Sequence, residues 1–455
     1  MSLSNHPKAY GSAAVAIAFV AGVLLTLGFK DLYPDLERRY QRRRKGTGTG
    51  TGNEIITSDS SSSDLRPVGS NLPPLRLEDR TRKSVVGLPK PLIPEGIEGC
   101  IGNTPLFKIK SLSDATGCTI LAKAEFLNGG GGSPKDRVAL NMILMAEEEG
   151  FLKPGRGDTI YEGTVGSTGI SLATLARARG YKAYICMPND QSTEKSDLLH
   201  HLGATVERVT PAPITSTEHF VNLARRRAKE HTASKTDSSR GFFADQFESR
   251  ANYRAHFQST GPEIYAQTGG DIDAFVAGAG TGGTISGVAL YLKQEQLMGQ
   301  DLKVVLADPE GSGLYNKVKH GVMFSSTEKE GTRRRQQVDT IVEGIGINRL
   351  TENFEAGREI IDDAVKVTDL QALKMARWLV EKDGIFVGSS SAVNCVAAVA
   401  TALKLEKEST VVTILCDSGT RHLSKFWKKV GELGLEEEHD SQDLLAYLRL
   451  RPTEE

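Results

Sequence analysis

Little in this chain supports a metal site, a disulfide framework or nucleic-acid binding. Its nine histidines are scattered, and no pair stands at the helical spacing that a zinc site needs. His200-His201 reads as a polar helix face. Cysteine is scarce: Cys100, Cys118, Cys186, Cys395 and Cys416 are five in number, odd and far apart. That excludes a disulfide framework and suits a reducing compartment. A formal net charge of −1 implies no bulk attraction to nucleic acid. No internal repeat is present, and no second, regulatory domain is expected.

Long apolar runs are missing too, with one exception. Residues 11–29 are 19 uncharged positions dominated by Ala, Val and Leu, just enough to span a bilayer as one helix. Arg38, Arg39, Arg42, Arg43, Arg44 and Lys45 follow. Positive flanks stay cytosolic, so the favoured orientation keeps the rest of the chain in the cytosol. A cleaved signal peptide would carry its charge ahead of the apolar run, where only His6 and Lys8 lie. Moderate hydrophobicity with a basic carboxyl-side flank fits a mitochondrial outer-membrane anchor; the endoplasmic reticulum membrane is the rival. The Gly-Thr run and serine cluster within residues 46–90 predict a flexible tether. The expected organisation is an anchor at 1–30, a basic flank and tether at 31–91, a core domain at 92–430 and a helical tail at 431–455. Within the core, residues 325–337, with Arg333-Arg334-Arg335, read as a surface insertion. In the tail, Glu436-Glu437-Glu438 precedes Leu444, Leu445 and Leu448.

What the core does have is glycine-rich junctions between strand-like and helix-like segments. Ser133-Pro134-Lys135-Asp136-Arg137 follows the run Gly129 to Gly132 and opens a helix carrying Val138, Met142 and Met145 at helical spacing. Ser133 can cap that helix and Pro134 suits its first position. Lys135 then sits at the positive end of a helix dipole, which disfavours an ammonium and suits an amine that attacks a carbonyl. Alone, it reads rather as a solvated surface lysine, and the further motifs reverse that reading. Thr164-Val165-Gly166-Ser167-Thr168-Gly169 joins a strand at 159–162 to a helix at 170–179, leaving backbone N–H groups for an anion such as a carboxylate. Gly280-Thr281-Gly282-Gly283-Thr284 follows the apolar run 274–277 and precedes a helix at 285–293, the setting of a phosphate cradle. Gly278, Gly280 and Gly283 also imitate a dinucleotide fingerprint with Asp308 beyond, but so late a position and the idle Lys135 argue against it. Cys416-Asp417-Ser418-Gly419 comes directly after the β-branched run 411–414, at a strand's carboxyl end.

Together these motifs resemble the cysteine synthase and cystathionine β-synthase family of pyridoxal-phosphate enzymes. The resemblance runs from about Pro94 to about Lys428 and includes Ile101-Gly102-Asn103-Thr104-Pro105-Leu106, the segment Ala122 to Asn128, Gln246-Phe247, Gly261-Pro262-Glu263-Ile264 and Gly344-Ile345-Gly346. It implies a fold-type II, two-lobed α/β architecture with doubly wound sheets and the ligand between lobes, and a homodimer. It further implies pyridoxal 5′-phosphate as cofactor, with Lys135 as the Schiff-base lysine. Gly280, Thr281, Gly282, Gly283 and Thr284 would surround the phosphate, Ser418 would meet the pyridine nitrogen, and Ser167 would lie near the 3′ oxygen. Thr164, Gly166, Thr168 and Gln246 would receive the substrate carboxylate. Departures stand beside the matches. Val165 and Ser167 replace the Ser and Asn of T-S-G-N-T-G, the glycine run has one extra residue, and Cys416, Thr420 and His422 replace the usual Pro, Glu and Tyr.

The implied reaction is β-replacement on a serine derivative. Lys135 serves as general base at the α-carbon, and a neutral Ser418 disfavours a long-lived carbanion. An aminoacrylate then adds sulfide or another thiol. O-acetylserine plus sulfide giving cysteine is the expected pairing. Hydrolysis of the same species, which makes a cysteine desulfhydrase, is the alternative reaction. A membrane-anchored scaffold that has lost turnover is the alternative class.

Overall fold

The computed structural model describes residues 93–191, 193–234, 238–299, 301–323, 340–435 and 443–450. The expected anchor, basic flank and tether lie outside these, as do Arg333-Arg334-Arg335 and Glu436-Glu437-Glu438. Among the described residues no helix is long and apolar enough to cross a membrane.

Short β-branched and alanine-rich runs make two sheets. The larger contains β1 (Leu106–Lys108), β2 (Thr119–Ala124), β7 (Ala274–Gly278), β8 (Lys303–Pro309), β9 (Asp363–Val367) and β10 (Thr410–Leu415), in the order β1-β2-β10-β7-β8-β9. Only β1 runs antiparallel to its neighbour. The smaller sheet is wholly parallel, with β5 (Thr205–Val209), β4 (Lys182–Pro188), β3 (Thr159–Gly163) and β6 (Gly241–Phe243) in that order. Parallel strands are covered on both faces and read as continuous apolar runs. Accordingly every residue of β3 is buried, as are residues 411–415 of β10.

The chain leaves the large sheet after β2, builds the small lobe, and returns at β7. It then fills β7, β8 and β9 outward, and β10 comes back to lie between β2 and β7. This reversal of order opens a crevice at the strands' carboxyl ends. Asn394 holds it open: the β7–β10 pairing runs as far as Val276 and Thr413, beyond which the Asn394 side chain accepts the Gly278 N–H (2.8 Å) and donates to the Ile414 carbonyl (2.8 Å).

The helices follow local rules. Asp369–Asp383 starts with a reciprocal Thr368/Gln371 capping box and stops at the left-handed Gly384. Ser389–Ala402, rich in Ala and Val, is buried nearly all round and packs on β7, β8, β9 and β10. The helix Lys135–Glu148 buries Val138, Ala139, Met142 and Ile143 in the small-lobe core with Ile160, Leu172 and Ile185, so its first residue stands at the seam between lobes. A short helix, Leu444–Tyr447, brings Leu444 and Leu445, and Leu448 just after it, into the large-lobe core.

Candidate active site

Three adjacent strands of the large sheet deliver three of the motifs. β2 leads through Glu125–Leu127 and the glycine run to Lys135, β10 ends at Cys416-Asp417-Ser418, and β7 leads into Gly280 to Thr284. The small lobe contributes Thr164 to Thr168 after β3 and Gln246 after β6.

The helix of Lys135 begins one residue later than its sequence suggests. Pro134 precedes it, and the Ser133 hydroxyl accepts only the Lys135 N–H, at 3.3 Å. The turn is instead organised by Asp136. Its carboxylate reaches back to accept the N–H groups of Gly131 (2.7 Å), Gly132 (2.8 Å) and Ser133 (3.3 Å) and the Ser171 hydroxyl (2.6 Å). Burial is the main cause that pulls the Lys135 amine below its usual pKa; Cys416 and Asp417 oppose it and so mark the Ser418 loop as its electrostatic neighbour. Arg137 ends the motif in a buried ionic cluster. It forks to Glu125 (2.8 and 2.8 Å) and Glu263 (2.6 and 2.8 Å), and Glu263 also holds Lys123 (2.6 Å).

The loop after β7 cannot carry larger residues. A Cβ on Gly280 would strike the Gly344 carbonyl, one on Gly283 would strike Asn252, and one on Gly282, at φ 84°, would lie 2.6 Å from Phe354 Cα. Gly282 precedes the helix Gly283–Leu290, two residues earlier than expected, whose first-turn amides have no helical acceptors. Thr281 Oγ1 accepts from Asn252 (2.9 Å). Thr284 Oγ1 contacts His256 Nε2 (3.2 Å), and His256 Nδ1 contacts Thr260 Oγ1 (2.8 Å). Burial, reinforced by Arg137 and Lys135, drives the His256 pKa well below its ordinary value, so the ring is neutral.

In the third loop the helix is Ser167–Ala178, so Ser167, Thr168 and Gly169 form its first turn. Thr164 is buried and its hydroxyl accepts the Gly166 N–H (3.3 Å); Gly166 is exposed. Thr168 Oγ1 donates to Gln246 Oε1 (2.6 Å), while the Gln246 amide nitrogen faces Glu162 and the Gly163 carbonyl (3.4 Å each). Glu162 is wholly buried; burial first and the Asp245 charge second push its carboxyl up to about 8, against hydrogen bonds from Gln246. Arg421 Nη1 stands 3.4 Å from Ser167 Oγ, so a guanidinium approaches where the shorter side chain leaves room. Ser418 caps the turn Gly419–Arg421 and bridges Val387.

Contacts join Thr168 to Gln246, Gln246 through Asn252 to Thr281, and Ser167 to Arg421 in the Ser418 turn, and Lys135 is an electrostatic neighbour of Asp417 and His256. Glu162, His256, Asn394 and Arg421 were missed. Only Glu162, the one charged residue of its strand run, carried a signal; the others depend on packing. All five cysteines are free, and no metal-binding cluster occurs among the described residues.

Geometry tests the fit of a phosphate-bearing aldehyde. A glycine cradle at a helix start, two anchored threonine hydroxyls, and a half-buried amine of lowered pKa suit its two ends. They fit. The family described as "Pyridoxal-phosphate dependent enzyme" matches residues 97–417. The chain is 67% identical over 453 residues to "Cysteine synthase 2" of Neurospora crassa, covering 99% of each. It is 55% identical over 346 residues to a protein of Saccharomyces cerevisiae whose name provisionally makes it a mitochondrial cysteine synthase, covering 76% of this chain and 86% of that one. Among solved structures, "O-ureido-L-serine synthase" superposes with a TM-score of 0.63 at 29% identity, over 79% of this chain and 100% of that chain.

Proposed function

The chain belongs to the pyridoxal-phosphate dependent enzymes, and from that premise we propose that it makes cysteine by β-replacement, sulfide taking the place of the leaving group on an O-acylated serine. The observation that carries this reading is the convergence of β2, β10 and β7, which brings the Lys135, Ser418 and Gly280 to Thr284 loops to one crevice. When bound, pyridoxal phosphate supplies an aldehyde for amines and a ring that withdraws electrons from the α-carbon.

Lys135 holds the cofactor and moves the α-proton; its lowered pKa keeps a larger fraction of the amine unprotonated for that task. Gly280, Thr281, Gly282, Gly283 and Thr284 hold the phosphate, with Thr284 fixed by His256. Ser418 meets the ring nitrogen without bringing charge. Thr164, Gly166, Thr168 and Gln246 orient the substrate carboxylate, and Glu162 fixes the Gln246 amide from behind. Ser167, with Arg421 beside it, lines the face near the 3′ oxygen. The domain division at residues 92–430 extends this reading, as does homodimer assembly by family resemblance. Mitochondrial placement is supported by the yeast relative's name and by the flank composition; residues 11–29 serve as the outer-membrane anchor, with the catalytic part in the cytosol.

The test is the full-length protein given O-acetylserine with sulfide, then cysteine alone, with sulfide, acetate, pyruvate and cysteine measured together. Cysteine and acetate should appear as sulfide disappears, and Lys135→Ala should stop turnover in a folded protein. Pyruvate and sulfide from cysteine with no synthesis would establish the eliminating enzyme instead. Wild-type turnover by the lysine variant would remove the central assignment. Added protease should shave the catalytic part from intact mitochondria; protection until the outer membrane is opened would reject the orientation.

A further inference from the structure

Ser418 Oγ has a countable set of neighbours. It accepts the N–H of Thr420 at 3.3 Å and lies 3.0 Å from Thr420 Oγ1. A hydroxyl offers two lone pairs and one proton. With one lone pair on the Thr420 N–H, one lone pair and the proton remain for two partners, the Thr420 hydroxyl and the cofactor's ring nitrogen. Only two orders satisfy both. In the first, Thr420 donates to Ser418 and Ser418 donates to the ring nitrogen. In the second, a protonated ring donates to Ser418 and Ser418 donates to Thr420.

The second order needs a positive ring beside neutral hydroxyls, which is unfavourable without an adjacent anion. The adjacent carboxylate, Asp417, is directed away: its Oδ2 lies 3.0 Å from His422 Nε2 and its Oδ1 sits against Gly388. The turn leaves Ser418 little freedom to escape the choice, because it bridges Val387, the Gly419 N–H donates to the Phe386 carbonyl (3.2 Å), and the Arg421 N–H returns to the Ser418 carbonyl (3.3 Å). We infer that Thr420 is a positioning residue: its hydroxyl donates to Ser418 Oγ and thereby turns the Ser418 proton towards the ring nitrogen. This rests on the assignment of Ser418 as the ring partner. Thr420 stands where the family usually has glutamate, a residue that accepts but cannot donate when ionised, so this donor order belongs to the present chain. Hydrogen bonds in such a relay polarise one another, which strengthens the contact that reaches the ring.

The experiment loads the full-length enzyme with cofactor labelled with 15N in the ring and records that resonance in the wild type, Thr420→Val, Thr420→Ser and Ser418→Ala. Thr420 is exposed, so its substitution does not threaten the fold. The wild-type ring should be unprotonated and hydrogen-bonded. Thr420→Val should move the resonance towards that of a ring without a hydrogen bond, Thr420→Ser should return it, and Ser418→Ala should move it further the same way. With these shifts, kcat of Thr420→Val should fall about twofold to fivefold at unchanged KM, the scale of part of one neutral hydrogen bond. A shift in Ser418→Ala with none in Thr420→Val overturns the relay while leaving Ser418 as the ring partner. No shift in Ser418→Ala removes the ring-partner assignment itself, and the relay with it. A protonated wild-type ring establishes the opposite order and overturns the inference.

Discussion

Replacing Arg137 by methionine removes the hub of the buried ionic cluster while keeping most of its volume. The wild-type cluster is balanced, with Lys123 and Arg137 against Glu125 and Glu263, and Lys123 and Glu125 are wholly buried. Arg137 gives the two carboxylates four hydrogen bonds of 2.6 to 2.8 Å. Without it, both carboxylates must share Lys123, although Glu125 keeps Thr104 (2.7 Å) and Asn128 (2.9 Å). Breaking a buried pair from one side typically costs about 3–5 kcal/mol, a large part of the ~5–15 kcal/mol that separates folded from unfolded protein. Urea unfolding at neutral pH, followed by circular dichroism, should show that loss, and Arg137→Met/Glu125→Gln, which restores charge balance, should regain a substantial share. The acid limb provides a second readout. Burial alone would raise the Glu263 carboxyl, but Arg137 and Lys123 hold it at about 2. Its stabilisation is therefore present above the ordinary carboxylate pKa and is lost as pH falls from about 4.5 towards 2. Arg137→Met should flatten that limb. A loss under about 1 kcal/mol with an unchanged acid limb would show that the cluster is not a coupled unit.

Three further outcomes are expected. Gly282→Ala, forced to φ 84° and against Phe354, should lower cofactor affinity at least tenfold in a titration of the apoprotein; unchanged affinity would mean that the loop does not hold the phosphate. Glu162→Gln should flatten the fall in stability as pH rises from about 4.5 to about 8, because a carboxyl raised by burial favours folding while protonated and loses that contribution on ionising. An identical slope in both proteins would mean that Glu162 titrates normally. Val165→Ser with Ser167→Asn should lower the ratio of pyruvate to cysteine formed from O-acetylserine and sulfide, since the longer amide fills the space that Arg421 now borders; an unchanged ratio would turn attention to the extra residue in the glycine run.

Strand-to-helix junctions were legible because glycine, threonine and β-branched runs announce them locally. The strand-like runs 159–162, 274–277 and 411–414, after which Thr164, Gly280 to Thr284 and Ser418 fall, match β3, β7 and β10 to within a residue at each end, whereas no local run announces β2 ahead of Lys135. The helix starts were less legible. Ser133 and Pro134 form a good cap on paper, yet Asp136 organises the turn because a buried carboxylate can take three backbone donors at once. Lys135 owes its lowered pKa chiefly to burial at the seam between lobes, a property of the assembled protein that no local pattern records. His256, Asn394 and Arg421 act across 28, 116 and 254 positions of sequence, to Thr284, Gly278 and Ser167, and nothing near them in the chain points to those partners.

The return of β10 to the middle of the large sheet also fixes when the enzyme can come into being during synthesis. Until residues 410–415 leave the ribosome, β2 and β7 both present an open edge where β10 belongs. The small lobe, continuous in sequence between them, can close much earlier, and its core already includes the helix that follows Lys135. A nascent chain that stops at residue 400 thus carries most of the site's residues on two unjoined halves, with exposed strand edges that invite association with other chains. Pairings this distant in sequence are slow to form, so the late strand governs both the pace of maturation and the cost of interrupting it.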